Sequence, residues 1–259
     1  MSRSGKLQIL ITAGNEQDNI RRVLNSIIGW ADTVLIMLDS QSSDQTYAIA
    51  SEFEGVSIVR HPYDSPAKQK NRGLDLLDRC WTLILDADEE VTPGLKRCID
   101  KIVSNDSGTN CAYWIRRRNN FMGRWIRFSG WQGDKVIRLI SNDGRCRYPD
   151  VLVHEEMECT GKIGLIDEPL LHYTYRGLDQ YMEKIHRYAT LQSIELYHRG
   201  VRPGLFHFAH KPLFRFVKHY FVQQGFRDGL PGLAISAIQA WGVFERYLKI
   251  RELYRLNSK

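Results

Sequence analysis

The first hundred residues alternate between short apolar runs and amphipathic segments, and this alternation restricts the fold more than any other feature of the sequence. Runs rich in aliphatic residues predict strands at residues 7–12, 33–38, 56–59 and 81–85. Segments with helical periodicity or helix-start signals predict helices at residues 18–28, 43–54, 66–80 and 93–103. Alternation at this spacing is typical of a parallel sheet covered by helices on both faces. We therefore expect an α/β fold.

Polar residues follow three of these strands at the points where the strands end. The first strand is followed by "TAGNE", the second ends in "LDSQSSD" and the fourth continues into "DADEE". Ligands of open α/β sheets bind beyond the carboxyl ends of the strands. We therefore expect these three segments to face the same side of the sheet.

Four acids stand close together after the fourth strand, and such a group needs compensation because like charges repel one another. Residues two apart in an extended segment face the same way, so Asp86 and Asp88 would share one face. Two carboxylates so placed can bind Mg²⁺ or Mn²⁺ together with substrate phosphates. A solvated turn is the alternative, and the acid pair by itself leaves both open.

Asp39 and Lys70 are candidates for contacts to a nucleotide. Asp39 ends the second strand, where a carboxylate can accept hydrogen bonds from a base or a ribose, or can simply cap the turn. Lys70 and its neighbour Arg72 lie on the helix before the fourth strand, and they could contact phosphates or form a solvated basic face. For Asp44 we expect a capping role only.

The segment "VHEEMEC" at residues 153–159 superficially resembles the helix of a zinc protease. The second His of H-E-x-x-H would be residue 158, which is Glu158, so the motif is absent. His154 and Glu155 are left as candidates for metal contact and proton transfer. A surface acidic stretch is the alternative that residue chemistry alone favours.

Composition and charge restrict the class of protein. Hydrophobic residues make up 43% of the chain and charged residues 25%, which is a globular composition. We find no secretory signal and no run of about 20 apolar residues. The five cysteines are odd in number and form no CxxC pair, so we expect free cytosolic thiols. The basic charge is concentrated in residues 201–259, where ten Lys and Arg outnumber three Asp and Glu.

Taken together, several of these segments resemble glycosyltransferase family 2. "ILITAGNEQDNIRRVLNSIIGWADTVLIMLDSQSSDQTYAIA" resembles the opening of the family, "AKQKNRGL" its nucleotide-side helix and "LILDADEEVTP" its Asp-x-Asp segment. "NNFMGRWIRFSGWQGDKVIRLI", "DVLVHEEM" and "LLHYTYRGLDQYMEKIHRY" resemble one branch, the lipopolysaccharide core β-1,4-glucosyltransferases. The resemblance covers nearly the whole chain. It implies a GT-A fold, in which a Rossmann-like, mostly parallel sheet flanked by helices merges with an acceptor-binding half.

The resemblance also implies roles for single residues at the nucleotide. Thr12 and Glu16 match the nucleotide-contacting end of the first strand, and Asp39 matches the uridine-binding acid. Lys70 stands where many members have Arg, and Asp86 matches the acid near the ribose.

The metal and the catalytic base follow from the same resemblance. Asp88 matches the metal ligand, which implies Mg²⁺ or Mn²⁺ as cofactor. Gly14 stands where the family often has Tyr, and the family's Glu-Asp base motif is absent. We expect Glu155 to replace that base with His154 beside it, and Asp134 is the alternative.

The resulting functional prediction is an inverting, metal-dependent glycosyltransferase that moves a sugar, expected to be glucose, from a UDP-sugar to a glycan or lipid-linked acceptor such as lipopolysaccharide core. A nucleic-acid-binding module is an alternative based on the pI of about 9.0, but no RNA- or DNA-binding fingerprint occurs, and we expect no nucleic-acid partner. A sugar-phosphate nucleotidyltransferase is a third reading. It usually has a glycine- and lysine-rich first loop, which "TAGNEQDNI" does not supply.

The expected domain organisation separates a catalytic domain from a basic tail. Residues 1–176 would form the GT-A domain, with its nucleotide half at about 1–105 and its acceptor half at about 106–176. Residues 177–259 would form a helical extension that holds the enzyme peripherally on the cytoplasmic face of the membrane. Docking or oligomer formation through the tail is the alternative, and the oligomeric state is left open. The candidate inserting side chains are Phe214, Phe216, Tyr220, Phe221 and Trp241.

Overall fold

The structure, a computed structural model, describes residues 5–105, 108–150, 156–175 and 177–257. Contacts divide the chain into two compact units, the first comprising residues up to 118 with residues 134–172, and the second residues 119–133 with residues from 173 onward. Residues 119–133, which the sequence analysis assigns to the acceptor half, thus cluster with the C-terminal helices. The domain boundary near residue 176 stays a prediction.

The first unit contains the predicted alternation of strands and helices. Its elements in chain order are β1 (Leu7–Ala13), α1 (Ile20–Ile27), β2 (Thr33–Asp39), α2 (Thr46–Ser51), β3 (Val56–His61), α3 (Pro66–Asp75), β4 (Trp81–Asp86), β5 (Glu89–Val91), α4 (Pro93–Ser104), β6 (Asn110–Phe121, whose last residues belong to the second unit), β7 (Arg124–Trp125, in the second unit), β8 (Lys135–Ser141), β9 (Cys146–Arg147), β10 (Glu158–Cys159) and β11 (Lys162–His172). All four strands and all four helices predicted in the first hundred residues are present.

The main sheet begins with parallel strands and continues with antiparallel ones. In the described residues its order is β3-β2-β1-β4-β8-β6-β11-β5. Strands β3, β2, β1 and β4 are parallel neighbours, whereas β4–β8, β8–β6 and β11–β5 pair antiparallel. The parallel strands end on one side, as the sequence predicts, because each is connected to the next by a helix.

Helices cover both faces of this sheet, and the alternation of side chains along each strand divides the core into two layers. Ile9 and Ile11 of β1 pack in one layer with α1, α2 and α4, and Leu10 between them packs in the other layer with α3. The central strands are apolar on both sides for this reason. They read as continuous hydrophobic runs in the sequence.

The second unit consists mainly of helices. Its elements after residue 173 are α5 (Leu178–His198), α6 (Leu205–Val217), a π-helical turn (Lys218–Val222), a 3₁₀ turn (Gly225–Asp228) and α7 (Leu230–Leu256). Helices α5 and α6 both pack on α7. No helix in the described ranges has the length and the apolar character that a membrane crossing requires.

Asp228 explains why residues 119–133 belong to the helical unit. Its buried carboxylate accepts hydrogen bonds from the backbone N–H groups of Arg127 and Phe128 and from the hydroxyl of Ser129, at 3.1, 3.0 and 2.8 Å. Phe121 packs close by, edge-on against Trp131 and Tyr181. Residues 119–133 therefore contribute Phe121 and Ile126 to the core of this unit.

Candidate active site

A cavity of about 510 Å³ lies at the carboxyl ends of the parallel strands, within the first unit. Its size is in the range of small-molecule binding sites. Residues from all three polar segments expected to converge line this cavity. The lining residues are Thr12, Ala13, Gly14, Glu16, Asp39, Tyr63, Pro66, Gln69, Lys70, Asp86, Ala87, Asp88 and His172. All five residues assigned to the nucleotide by resemblance, and the predicted metal ligand, are among them.

Strand register and a helix start position the centre of the cavity. Thr12 is the direct partner of Asp86 in the β1–β4 pair, and its hydroxyl oxygen lies 3.3 Å from a carboxylate oxygen of Asp86. Helix α3 begins with Ser65, whose side chain accepts the N–H of Lys68, and with Pro66 in its first turn. This start places Lys70 one turn into the helix, with its ammonium 2.8 Å from Asp86.

Asp86 is held by two cations. Lys70 contacts one carboxylate oxygen and Arg138 of β8 donates to the other. Burial alone would raise the pKa of Asp86, but the charges of Arg138 and Lys70 outweigh it and keep the pKa well below its usual range. Burial likewise opposes the charge of Lys70, yet the neighbouring Asp86 raises the pKa of the ammonium. Both groups are therefore charged at neutral pH.

Glu89 is the second acid that the protein itself neutralises. It is 0% exposed, and its carboxylate accepts a hydrogen bond from Arg138 at 2.8 Å and another from the backbone N–H of Asp86 at 2.9 Å. The acids after β4 thus stay close together partly because Arg138 and Lys70 compensate two of them. The sequence analysis considers a metal with substrate phosphates for Asp86 and Asp88, whereas the structure compensates Asp86 and Glu89 with side chains of the protein.

Asp88 is the acid that stands apart from those cations. Its carboxylate lies 3.3 Å from Nε2 of His172, and both residues line the cavity. The pairing of β5 with β11 explains this approach, because His172 is the direct partner of Glu89, the residue after Asp88. One carboxylate and one imidazole, side by side in a polar cavity, fit a divalent cation that keeps water or phosphate oxygens as its other ligands.

Asp39 and Tyr63 form another wall of the cavity. One carboxylate oxygen of Asp39 accepts the N–H of Gln41 at 2.9 Å and the N–H of Tyr63 at 3.3 Å. These bonds fix the acid at the strand end and place the ring of Tyr63, which is 49% exposed, at the cavity. A Cβ added at Gly14 would meet nothing within 4 Å, so the position at which the family resemblance implies a Tyr is open space.

Asp134 lies outside this arrangement. It is absent from the residues that line the cavity in the described part of the chain. Its carboxylate accepts two hydrogen bonds from Arg117, at 2.9 and 3.1 Å, and Arg117 also approaches Glu89 at 3.9 Å. The other two predicted catalytic residues, His154 and Glu155, lie outside the described residues.

Three thiols form a second cluster of metal-ligating side chains. The sulfur atoms of Cys111, Cys146 and Cys159 lie within 4.8 Å of one another. Burial raises the pKa of the Cys146 and Cys159 thiols, and hydrogen bonding to Cys159 raises that of Cys146 further. These cysteines are free thiols, and a metal ion would have to displace their protons in order to bind.

Sequence reasoning missed His172, Arg138 and Glu89 as parts of the site. His172 lies in "LLHYTY", which contributed to the family resemblance but was assigned no role, and Arg138 reads as one basic residue in the apolar run "KVIRLI". A charged residue inside such a run was the available signal, since a buried Arg is rarely without a partner.

Two solved structures are similar to this chain over most of its length. The mannosyltransferase PcManGT from Pyrobaculum calidifontis, in complex with GDP-Man and Mn²⁺, has a TM-score of 0.52 and 14% identity, with 100% of this chain and 89% of that chain covered. TarS 1-349 of S. aureus, in complex with UDP-GlcNAc, has a TM-score of 0.50 and 14% identity, with 97% and 92% covered. These similarities identify the fold as GT-A, the fold of nucleotide-sugar-dependent glycosyltransferases.

Sequence comparison then gives the family. Residues 8–150, more than half of the chain, match the family described as glycosyl transferase family 2. The chain belongs to this family and is a glycosyltransferase. An uncharacterized glycosyltransferase of Rickettsia conorii is 27% identical over 260 residues, covering 97% of this chain and 92% of the relative. The lipopolysaccharide core biosynthesis glycosyltransferase LpsC of Rhizobium meliloti is 24% identical over 259 residues, covering 98% and 94%.

Proposed function

We propose that this chain is an inverting, metal-dependent glycosyltransferase that uses a UDP-sugar, with glucose as the expected sugar, and acts on a glycan or a lipid-linked acceptor such as lipopolysaccharide core. The observation that carries the proposal is the cavity at the strand ends, where the nucleotide-matching residues meet Asp88 and His172. The similarity to LpsC supports the lipopolysaccharide acceptor. The UDP-GlcNAc complex of TarS supports a UDP donor.

The nucleotide would be held by groups that the protein has already oriented. Asp39 has its backbone hydrogen bonds in place and presents its carboxylate to the uracil or the ribose. The exposed ring of Tyr63 offers a stacking surface for the base, which Gly14 does not supply. Asp86, ionised because Lys70 and Arg138 hold it, presents an acceptor to a ribose hydroxyl.

Asp88 and His172 would hold the metal. A divalent cation bound there supplies positive charge next to the diphosphate as it leaves. Lys70 stands at the same cavity and adds a second positive charge near the phosphates. The Mn²⁺ bound to PcManGT supports a divalent cation.

Glu155 would act as the general base. It removes the proton from the acceptor hydroxyl as that oxygen attacks the anomeric carbon on the face opposite the diphosphate, and such a step typically contributes about 10²–10⁴-fold. Asp134 is the weaker alternative, because its carboxylate already accepts two hydrogen bonds from Arg117.

We further propose a peripheral location on the cytoplasmic face of the membrane. Of the five candidate inserting side chains, Phe214, Phe221 and Trp241 are at least half exposed, whereas Phe216 and Tyr220 stack on each other and are half-buried. The basic excess of residues 201–259 would add attraction to anionic lipid.

A donor screen tests the proposed activity. Hydrolysis and binding are measured across UDP-, GDP- and dTDP-sugars, with Mn²⁺ present or with the metal chelated. We expect turnover of a UDP-sugar that depends on the metal. Turnover of a GDP- or dTDP-sugar in its place, or undiminished turnover without metal, would contradict the assignment.

A further inference from the structure

A second cavity, of about 720 Å³, lies within the helical unit and has an unusual lining. Helix α6, the π-helical turn and α7 supply the walls. Five lining residues are apolar, namely Phe206, Leu213, Phe214, Val217 and Val243. Four are cationic, namely Lys211, Arg215, Lys218 and Arg246, and His210 completes the set.

The apolar side chains of this cavity are open to solvent except for Val243, which is 6% exposed. Phe214 is 69% exposed, Leu213 61% and Phe206 57%, and Leu205 at the start of α6 is 90% exposed. Scattered exposed apolar residues are ordinary on protein surfaces, but several contiguous ones mark a surface that binds another apolar group.

The four cations around the cavity lack carboxylate partners. None of the ten lining residues is an acid, and within the described ranges none of these four cations forms an ion pair with a carboxylate. Other cations of the same unit do: Lys249 pairs with Glu245 at 3.4 Å and Arg199 pairs with Glu195. Arg246 donates a hydrogen bond to the neutral amide of Gln192 at 2.6 Å, so the described part of the chain does not neutralise the positive charge at this cavity.

Arg215, Lys211 and Arg246 are also close enough to influence one another. The guanidinium of Arg246 and the ammonium of Lys211 lie 5.0 and 5.4 Å from the centre of the same ring, Tyr247. Burial and the nearby charge of Arg246 lower the pKa of Arg215. Nε of Arg246 is buried and has no hydrogen-bond partner. Like charges gathered without compensation repel, and an anion among them would relieve that repulsion.

We propose that this cavity binds an anionic membrane lipid, with the phosphate of the head group among Lys211, Arg215, Lys218 and Arg246 and the first part of the hydrocarbon chain against Phe206, Leu213 and Phe214. The cations and the apolar wall together restrict which ligands fit this cavity. A free phosphate would leave the apolar wall exposed, and a neutral lipid would leave the cations uncompensated. An anionic amphiphile satisfies both, and a phospholipid is the anionic amphiphile of a membrane surface.

This inference deepens the proposed membrane location, and it rests on the proposed function only in requiring a membrane surface. It changes the expected nature of the attachment. Diffuse attraction between a basic tail and an anionic bilayer depends on total charge and little on which cation carries it. A built head-group site depends on the cations around the cavity far more than on other cations of the same helix.

The test measures binding of the full-length protein to vesicles of phosphatidylcholine alone or with phosphatidylglycerol. The cavity variant is Arg215→Gln with Arg246→Gln. The matched control is Arg251→Gln with Arg255→Gln, which removes two charges from exposed positions of α7 outside the cavity. We expect the cavity variant to bind phosphatidylglycerol vesicles about 30-fold more weakly and the control to change about 3-fold or less. Equal losses in the two variants would overturn the proposal.

Further measurements keep the result interpretable. Lys211→Gln and Phe214→Ser change exposed side chains, so they are used if the arginine variant unfolds. Lys211→Gln should weaken binding to phosphatidylglycerol vesicles more than Arg251→Gln, and Phe214→Ser more than Trp241→Ser, because Arg251 and the exposed Trp241 lie outside the cavity. Equal losses within each pair would overturn the proposal. Inorganic phosphate that displaces the vesicles at matched phosphate concentration would point to a soluble anion instead. A dimer in solution that Phe214→Ser dissociates would show that a second copy of the chain covers this face. Either result would overturn lipid binding.

Failure of this inference can be told apart from failure of the proposed function. UDP binding by the cavity variant should equal that of the unsubstituted protein, since the two cavities share no residue. Asp88→Asn should retain vesicle binding while losing metal-dependent turnover. A cavity variant that loses UDP binding in proportion to vesicle binding would indicate misfolding. The variants at Lys211 and Phe214 would then test lipid binding in its place.

Discussion

At the residue scale, we expect Glu155 to act in catalysis and Asp134 to contribute to stability. We predict that Glu155→Gln loses most turnover, by about 10²–10⁴-fold, and keeps donor binding, because a neutral amide cannot accept the acceptor's proton. Asp134→Asn should keep most turnover and lose thermal stability, because its partner Arg117 is left with a weaker acceptor. Single-turnover kinetics measures the loss of catalysis in each variant, and a donor-binding assay shows whether the donor site is intact. The reverse pattern would make Asp134 the base.

Tyr63 carries a prediction about donor recognition. Replacing it with Ala should weaken UDP binding by about 1–3 kcal/mol, the usual contribution of stacking a base on an aromatic ring, whereas Tyr63→Phe should keep the affinity. Tyr47→Ala is the matched control, because Tyr47 is also 49% exposed but does not line the cavity. Calorimetric titration with UDP measures the effect. An unchanged affinity in Tyr63→Ala would mean that the base stacks elsewhere.

Arg138 is expected to matter more for stability than any exposed cation. It is 4% exposed and is hydrogen-bonded to Asp86 and to the fully buried Glu89. Arg138→Gln should lower the free energy of unfolding by about 3–5 kcal/mol, since the fully buried carboxylate of Glu89 loses its compensating charge. Arg116→Gln, which breaks a pair with the exposed Asp167, should cost about 1 kcal/mol or less. Urea denaturation measures the free energy of unfolding of both variants. Equal decreases in the two variants would contradict a special contribution of Arg138 to stability.

At the scale of elements, the turn between β8 and β9 contains an acid whose titration can be observed directly. Hydrogen bonds from the Arg145 side chain lower the pKa of Asp143 to about 2, against a smaller opposing effect of burial. Because the folded pKa lies below the unfolded one, Asp143 contributes stability above about pH 4, and this contribution is lost as the pH falls towards 2. Arg145→Gln should therefore raise the titration midpoint towards 3.8.

Carboxyl-carbon NMR shifts recorded against pH measure this midpoint. Arg147→Gln is the control, because Arg147 pairs with Asp75 and not with Asp143. A midpoint for Asp143 that stays near 2 in Arg145→Gln would show that the backbone N–H of Arg145 and the hydroxyl of Ser141 hold the acid without the guanidinium.

Two helices are shorter than the sequence predicts, and hydrogen bonds from other side chains lie at the positions where they differ. The predicted helix at residues 66–80 ends at Asp75. Asn142 donates to the carbonyls of Leu74 and Asp78, at 2.8 and 3.2 Å, and Gln8 accepts the N–H of Asp78. These distant side chains satisfy backbone groups that further helical turns would have used. The predicted helix at residues 43–54 forms only over Thr46–Ser51, and at its start Asp44 accepts the N–H of Thr46 and the N–H of the distant Gln17.

At the scale of the whole molecule, ligand binding should be visible as added stability. A ligand that binds only the folded state at about 100 times its dissociation constant adds about 2.7 kcal/mol, which for a chain of this size raises Tm by about 5–10 °C. We predict such a shift with UDP and Mn²⁺ together and its loss on chelation. Asp88→Asn should abolish the metal-dependent part, and Glu90→Gln, an acid on β5 that does not line the cavity, should leave it intact. A full shift in Asp88→Asn would exclude Asp88 as a metal ligand.

The sequence alone determined the parallel half of the sheet and which strand ends line its cavity. Hydrophobic periodicity is a local property, and it identified β1 to β4 and the helices between them, because burial on both faces requires continuous apolar strands. Because parallel strands end on one side, the strand order places Thr12, Asp39 and Asp86 at one cavity.

Only the tertiary structure decided how the acids of that site are compensated. His172 reaches Asp88 because β11 pairs antiparallel with β5, and Arg138 reaches Asp86 and Glu89 because β8 pairs antiparallel with β4. The register of such pairs depends on contacts between segments some 50 to 85 residues apart in the chain. No local pattern encodes those contacts, so the sequence located the acids, and folding supplied the cations and the imidazole that stand beside them.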